Sequence, residues 1–266
     1  MYTYSEEHLL FLKKRKRKKL FVLFFQVLII ISFLVAWEIL ARKNIINTFL
    51  FSSPSNVYKC LMDLYHKNGL FNHIWITTYE TLISFALANV IGIVVGSILW
   101  WNDTLAKVVD PYLTVINSLP KVALGPLIII WVGAGINSII FMALMISSII
   151  SIINIYSSFV NTDSSFITLM KSFKASKWQI YKKVIIPSNL LNIINNFKIN
   201  ISMSLIGVIM GELLVSKEGL GYLIMYGSQI FNIKLVIASV VILGILSYFM
   251  YYIIHLIEKK LEKKIN

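Results

Sequence analysis

Two glutamates stand where a carboxylate is expensive. Glu80 and Glu212 sit inside long apolar stretches of a 266-residue chain. An ionised side chain at the centre of a bilayer costs about 2.5 kcal/mol or more. Each is therefore either a group facing a polar path or an interfacial residue near the end of a span. A second polar set, Asn192, Asn195, Asn196, Lys198, Asn200, Ser202 and Ser204, crowds one apolar segment. Lipid offers such groups no partners, so this segment faces protein or a wet path. Its asparagines and serines either line that path or bond between helices. Gly219 and Gly221 suit a tight backbone turn nearby. Groups for catalysis are missing. The phosphate-cradling pattern G-x-x-x-x-G-K-[ST] is absent, as are H-E-x-x-H and paired cysteines. Cys60 is alone, and His8, His66, His73 and His255 are scattered without metal-ligand spacing. No nucleophile and base stand together, so the chain reads as a non-enzyme with no cofactor of its own.

The elements that must position these groups are apolar helices. Hydrophobic residues make up 58% of the chain and charged residues 14%, against about 25% charged in soluble domains. Disorder is excluded by the same figures. A helix needs about 20 apolar residues to cross the hydrocarbon core. Residues 20–40, Ile136–Val160 and 231–257 meet that plainly; residues 77–101, 111–133 and Leu190–Val215 meet it with polar interruptions. The span over 111–133 carries Pro120, Lys121 and Pro126. The fold class expected is all-α: a polytopic membrane protein with six spans.

Charge orients them. The net charge is +13, and 16 of the 25 Lys and Arg fall in three places. These are residues 13–19 (KKRKRKK), the tail with Lys259, Lys260, Lys263 and Lys264, and the segment with Lys171, Lys174, Lys177, Lys182 and Lys183. Six spans put all three on one side, which the positive-inside rule makes cytoplasmic. Both termini are then cytoplasmic in a multi-pass plasma-membrane protein. The basic run is a topology signal beside anionic lipid rather than a nucleic-acid site. No small-residue cleavage site follows the first span, so it reads as retained. Three regions follow: a basic segment over 1–19, a membrane domain over 20–257, and a basic tail over 258–266.

Residues 161–188 form a long polar insertion on the basic side. Asp163, Ser164 and Ser165 offer helix N-caps. Phe166, Leu169, Met170, Phe173, Trp178, Ile180 and Tyr181 recur at mostly helical spacing, and Pro187 stops the pattern. Two short amphipathic helices broken near Lys174, Ala175 and Ser176 are expected. Their apolar face lies on the bilayer or docks into a groove on a partner.

The run from Lys171 to Pro187, KSFKASKWQIYKKVIIP, resembles the cytoplasmic EAA loop of ABC-importer permeases. Ser53-Pro54-Ser55, Gly92 and Gly96, Asp110-Pro111, Ser118-Leu119-Pro120, Gly125-Pro126-Leu127, Trp131-Val132-Gly133-Ala134-Gly135, Gly211-Glu212 and Gly219-Leu220-Gly221-Tyr222 are similar to the same family in order and spacing. The branch resembled is the sulfonate, nitrate and taurine group, which includes permeases for thiamine precursors. The resemblance implies a path for a small anion-like solute of those classes and a loop, 165–187, gripped by a separate ATPase that binds the ATP. It also implies an extracytoplasmic solute-binding protein and a second permease copy, as a homodimer. Leu169, Met170, Lys171, Ser172, Phe173, Lys174, Ala175, Ser176, Trp178 and Pro187 are then coupling residues. Glu80, Asn200, Glu212, Gly219 and Gly221 are candidates for the path, with the Gly219 loop near its mouth. The basic face of the loop serves orientation or an acidic rim on the ATPase.

The chain departs from the family pattern at three places. Thr168, Leu169 and Met170 stand at the Glu-Ala-Ala positions, and Lys174 stands at the family glycine. Either the turn there avoids positive φ, or Ala175-Ser176 takes it over. An arginine common early in the second span is replaced by Glu80 and Thr81. The competing reading is an ion-coupled secondary transporter without an ATPase. Such proteins carry broken helices in both halves, and the Pro120/Pro126 span has no counterpart in the second half.

Overall fold

The computed structural model describes residues 6–66 and 69–265. Residues 1–5 of the expected N-terminal segment and Asn266 of the tail lie outside them. Thirteen α-helices and no strand occur among the described residues: α1 Glu6–Arg42, α2 Thr48–Phe51, α3 Pro54–His66, α4 Leu70–Trp101, α5 Asp103–Ser118, α6 Gly125–Val132, α7 Ile136–Val160, α8 Ser164–Ser172, α9 Lys177–Ile180, α10 Ile186–Ser188, α11 Leu190–Val215, α12 Leu220–Gln229 and α13 Ile233–Ile265. The chain divides into two units, the first ending at Met62 and the second beginning at Asp63.

In the first unit, α1 runs unbroken from the basic stretch into the apolar run, because nothing between them breaks a helix. Its side chains from Leu20 to Val35 are exposed all round, as suits a helix bathed in lipid. Near its end Glu38 accepts from Arg42 at 2.7 Å and from the Ser55 backbone N–H at 3.1 Å.

The second unit is built on α4, α7 and α11. Gly92 faces Ser151 and Gly96 faces Ile155, so α4 and α7 run parallel. Gly207 lies against Ala143 and Gly211 against Ile139, so α11 runs antiparallel to both. Parallel α4 and α7 demand that the chain between them return from one end of the bundle to the other. α5 and the segment Lys121–Val132 make that return, bent by 83° between them. The expected third span is therefore broken and begins at Asp103, ahead of 111. Pro120 cannot donate to a helix ladder, and a 3₁₀ turn over Lys121–Leu124 restarts the chain at a new angle. With this pair as one crossing the spans number six. The second span also begins at Leu70 instead of 77, because no residue between Leu70 and Thr77 breaks the helix.

Candidate coupling surface and acidic cavity

The two ends of the α4–α7–α11 bundle carry different chemistry. At the basic end stands the insertion between α7 and α11. The Asp163 carboxylate accepts the hydroxyl and backbone N–H of Ser165, capping α8. The same two bonds hold the Asp163 carboxyl below the usual carboxylate range. Ile167 and Met170 of α8 turn inward onto a cluster formed by Ile155, Phe159, Ile180, Val184, Ile185 and Ile193. Phe166, Leu169 and Phe173 turn the other way and are 54%, 53% and 74% exposed. Helical spacing of three and four residues puts these on one stripe.

α8 ends in a Schellman turn. The Ala175 N–H bonds the Met170 carbonyl at 3.0 Å and the Lys174 N–H bonds the Lys171 carbonyl at 2.9 Å. Lys174 takes φ +55°. Both sequence alternatives fail at this point: the turn does not avoid positive φ, and neither Ala175 nor Ser176 assumes it. The lysine itself occupies the left-handed position, because the paired hydrogen bonds fix it there. Ser176 then caps α9 in a reciprocal box with Gln179.

Pro187 does not stop the second helix as expected. α9 passes through a widened π turn over Tyr181–Ile185 into α10, where Pro187 sits in the first turn and needs no N–H partner. The interruption falls at Asn189, whose side chain bonds the Ile185 carbonyl and the Thr162 hydroxyl. The π turn aims the Tyr181 hydroxyl at Ser97 of α4, 2.6 Å away. Lys177 reaches the Trp101 carbonyl at 2.5 Å and lies over the rings of Trp100 and Trp101. Trp178 packs on both Trp101 and Tyr181. The insertion is thus fastened to the end of α4.

At the opposite end, Glu212 is 1% exposed and serves as an anchor. Its carboxylate accepts the Thr77 hydroxyl at 2.6 Å and the Gly221 N–H at 2.5 Å. The Leu220 N–H bonds the Thr77 oxygen and the Gly219 N–H bonds His73 Nδ1, each at 2.9 Å. Three successive N–H groups opening α12 thereby find partners on α4 and α11. A carboxylate at a helix N-terminus also meets the positive end of its dipole. Gly219 has φ +104°, and a Cβ there would come within 2.3 Å of a Glu212 oxygen. At Gly221 the added Cβ would lie 2.7 Å from the Glu212 Cβ. Only glycine fits either position. Thr77 and His73 are site residues that sequence reasoning missed; neither has a local signature.

Glu80 lies one turn below Thr77 and is 2% exposed. Its carboxyl Oε2 has no hydrogen-bond partner. It lines a cavity of about 700 Å³ together with Ile76, Ile136, Ile139, Val215, Lys217 and Glu218. Further along the bundle, Asn200 donates to the Asn89 side chain at 2.9 Å, and Asn196 donates to Ser151 at 2.9 Å and accepts from Asn154 at 3.1 Å. These asparagines bond between helices. Among the described residues no group of three or more His, Cys, Asp or Glu could hold a metal ion.

A helical membrane body with a polar interior seam and a separate helical attachment at one end is the build of a transport permease. Residues 88–265 match the family model described as binding-protein-dependent transport system inner membrane component, and the chain belongs to that family. It is 28% identical to a probable ABC transporter permease protein of Haemophilus influenzae, over 85% of this chain and 91% of that one. It is 29% identical to the formylaminopyrimidine transport permease protein ThiX of Halalkalibacterium halodurans, over 73% of this chain and 77% of that one. Identity to the putative aliphatic sulfonates transport permease protein SsuC of Bacillus subtilis is 23%, over 85% and 82%. Among solved structures, an inward-facing MetNI methionine ABC transporter chain superposes with a TM-score of 0.65 at 21% identity, covering 72% of this chain and 95% of that one. That likeness shows a shared fold.

Proposed function

We propose that this chain is the membrane-spanning subunit of an ATP-driven importer, and that residues 165–187 dock on a separate ATPase at the cytoplasmic face. The observation that carries the reading is the exposed stripe of Phe166, Leu169 and Phe173 on a helix whose other face is already packed. Such a stripe in water calls for a partner's groove. ATP is bound by that partner; this chain holds no cofactor. The basic segments set both termini and the loop in the cytoplasm of a plasma-membrane protein. A solute-binding protein delivers cargo from outside, and a second copy of the chain closes the path.

The coupling residues act as one body. Leu169 and Phe173 supply contact, Met170 and Ala175 anchor the helix inward, and Lys171, Ser172, Lys174 and Ser176 shape its end. Trp178 and Pro187 pass the push on toward α4 and α11. Glu80 faces the path at the mouth, while Glu212, Gly219 and Gly221 shape that mouth and Asn200 holds the helices beside it. Relatives named for formylaminopyrimidine and for aliphatic sulfonates support a small solute of the thiamine-precursor or sulfonate class.

The test is affinity purification of the full chain from its own membranes, with mass spectrometry of what accompanies it. An ATPase should co-purify, and the double variant Leu169→Asp, Phe173→Asp should lose it while still inserting. Retained association in the double variant, or gradient-driven uptake by a chain that binds no ATPase, rejects the reading.

A further inference from the structure

The cavity beside Glu80 bears on what kind of solute can pass. Its floor is Glu80, which keeps Oε2 unpartnered; Glu212 lies outside the lining, with its oxygens taken by Thr77 and Gly221. Oxygen Oε2 can only accept a hydrogen bond or pair with a positive charge, unless it carries the proton. The rim adds Glu218, which is exposed. Lys217 is the one basic lining residue, and among the described residues no ion pair within 4.0 Å joins it to either glutamate. His73, the remaining titratable group close by, spends its Nδ1 lone pair on the Gly219 N–H. The walls are apolar at Ile76, Ile136, Ile139 and Val215, and the Ser216 hydroxyl beside them is spent on the Glu218 carbonyl.

Those groups suit one kind of visitor and reject another. An oxyanion brings only acceptors to that unpartnered oxygen and meets the like charge of Glu218 at the rim. A flat solute with N–H donors at one edge satisfies Oε2 with its edge and covers the isoleucines with its face. Deepening the importer reading and resting on it, we propose that this cavity is a binding site for a small organic cation or nitrogen-donor heterocycle and not for a sulfonate or nitrate. Glu80 is the residue that reads the donor, and Lys217 weakens rather than helps the contact.

A matched pair of probes tests this: benzamidinium and benzenesulfonate, the same ring with opposite heads. The full-length chain is reconstituted in nanodiscs of zwitterionic lipid, and saturation-transfer NMR gives each dissociation constant. Benzamidinium should bind saturably and at least tenfold tighter than benzenesulfonate. Glu80→Gln should weaken benzamidinium at least tenfold, and Lys217→Ala should tighten it about twofold. A thermal melt checks that the Glu80 variant is folded. Should it not fold, Glu218→Gln on the exposed rim replaces it, with a two- to threefold loss expected. Benzenesulfonate binding as tightly as benzamidinium, no saturable benzamidinium binding, or unchanged binding in the glutamate variants overturns the proposal. None of these measurements involves an ATPase, so they fail or succeed independently of the co-purification test.

Discussion

Replacing Lys174 with glycine should stabilise the turn that ends α8. The lysine sits at φ +55° with its N–H bonded to Lys171 and its neighbour's to Met170. The left-handed conformation costs an L-residue about 1–2 kcal/mol, because Cβ crowds the following carbonyl oxygen. Glycine escapes that crowding but gives up about 0.5–1 kcal/mol of extra chain freedom on ordering. The net gain is about 0.5–1 kcal/mol. An energy of 1.4 kcal/mol is a factor of ten in an opening equilibrium, so Lys174→Gly should slow local opening about two- to fivefold. Native-state hydrogen exchange over the peptide containing Lys174 and Ala175 reads this directly, on the full chain in nanodiscs. Lys174→Asn should show part of the effect, since asparagine tolerates the left-handed region, and Lys174→Val should open the turn faster. Unchanged or faster exchange in the glycine variant, or protection in the valine variant, would refute the strain assignment.

Thr77→Val should lower the thermal stability of the reconstituted chain by about 2–3 kcal/mol. It removes a hydroxyl that both donates to Glu212 and accepts from Leu220, stranding two buried groups. Thr77→Ser should restore most of the loss. The cap on α8 should be sensitive to acid. Because bonds from Ser165 hold the Asp163 carboxyl below its ordinary value, its stabilising contribution is present above about pH 4 and is lost as pH falls through the lowered folded value. Asp163→Ala should therefore speed amide exchange at Ser165 and Phe166 at pH 7 and abolish the acid dependence there.

What sequence alone made visible follows from periodicity. α7 and α11 begin and end where their apolar runs do, at Ile136–Val160 and Leu190–Val215. A cap among Asp163, Ser164 and Ser165 and the break near Lys174 were equally plain, since caps and turns are local chemistry; that Asp163 takes the cap came from the structure. The angle of the third crossing was not, because Pro120 announces an interruption without fixing its direction. Lys174 misled because glycine is only the preferred occupant of a left-handed site, and a pair of backbone bonds can impose it on lysine. Glu212 could be singled out by its cost in lipid. Its partners could not, for Thr77 lies 135 residues away in sequence and nothing but packing brings them together.

The close seating of α4 on α7 and of α7 on α11 limits how this body can move. With Gly92 against Ser151, Gly207 against Ala143 and asparagines stitched across the seam, no helix can ratchet past its neighbour without colliding. If residues 165–187 are pushed by a partner as proposed, the close packing predicts that the far end moves with them as a block. Room for such a movement is left at the margins: Gly133 and Gly135, at positive φ with open space around them, and the bend between α5 and α6.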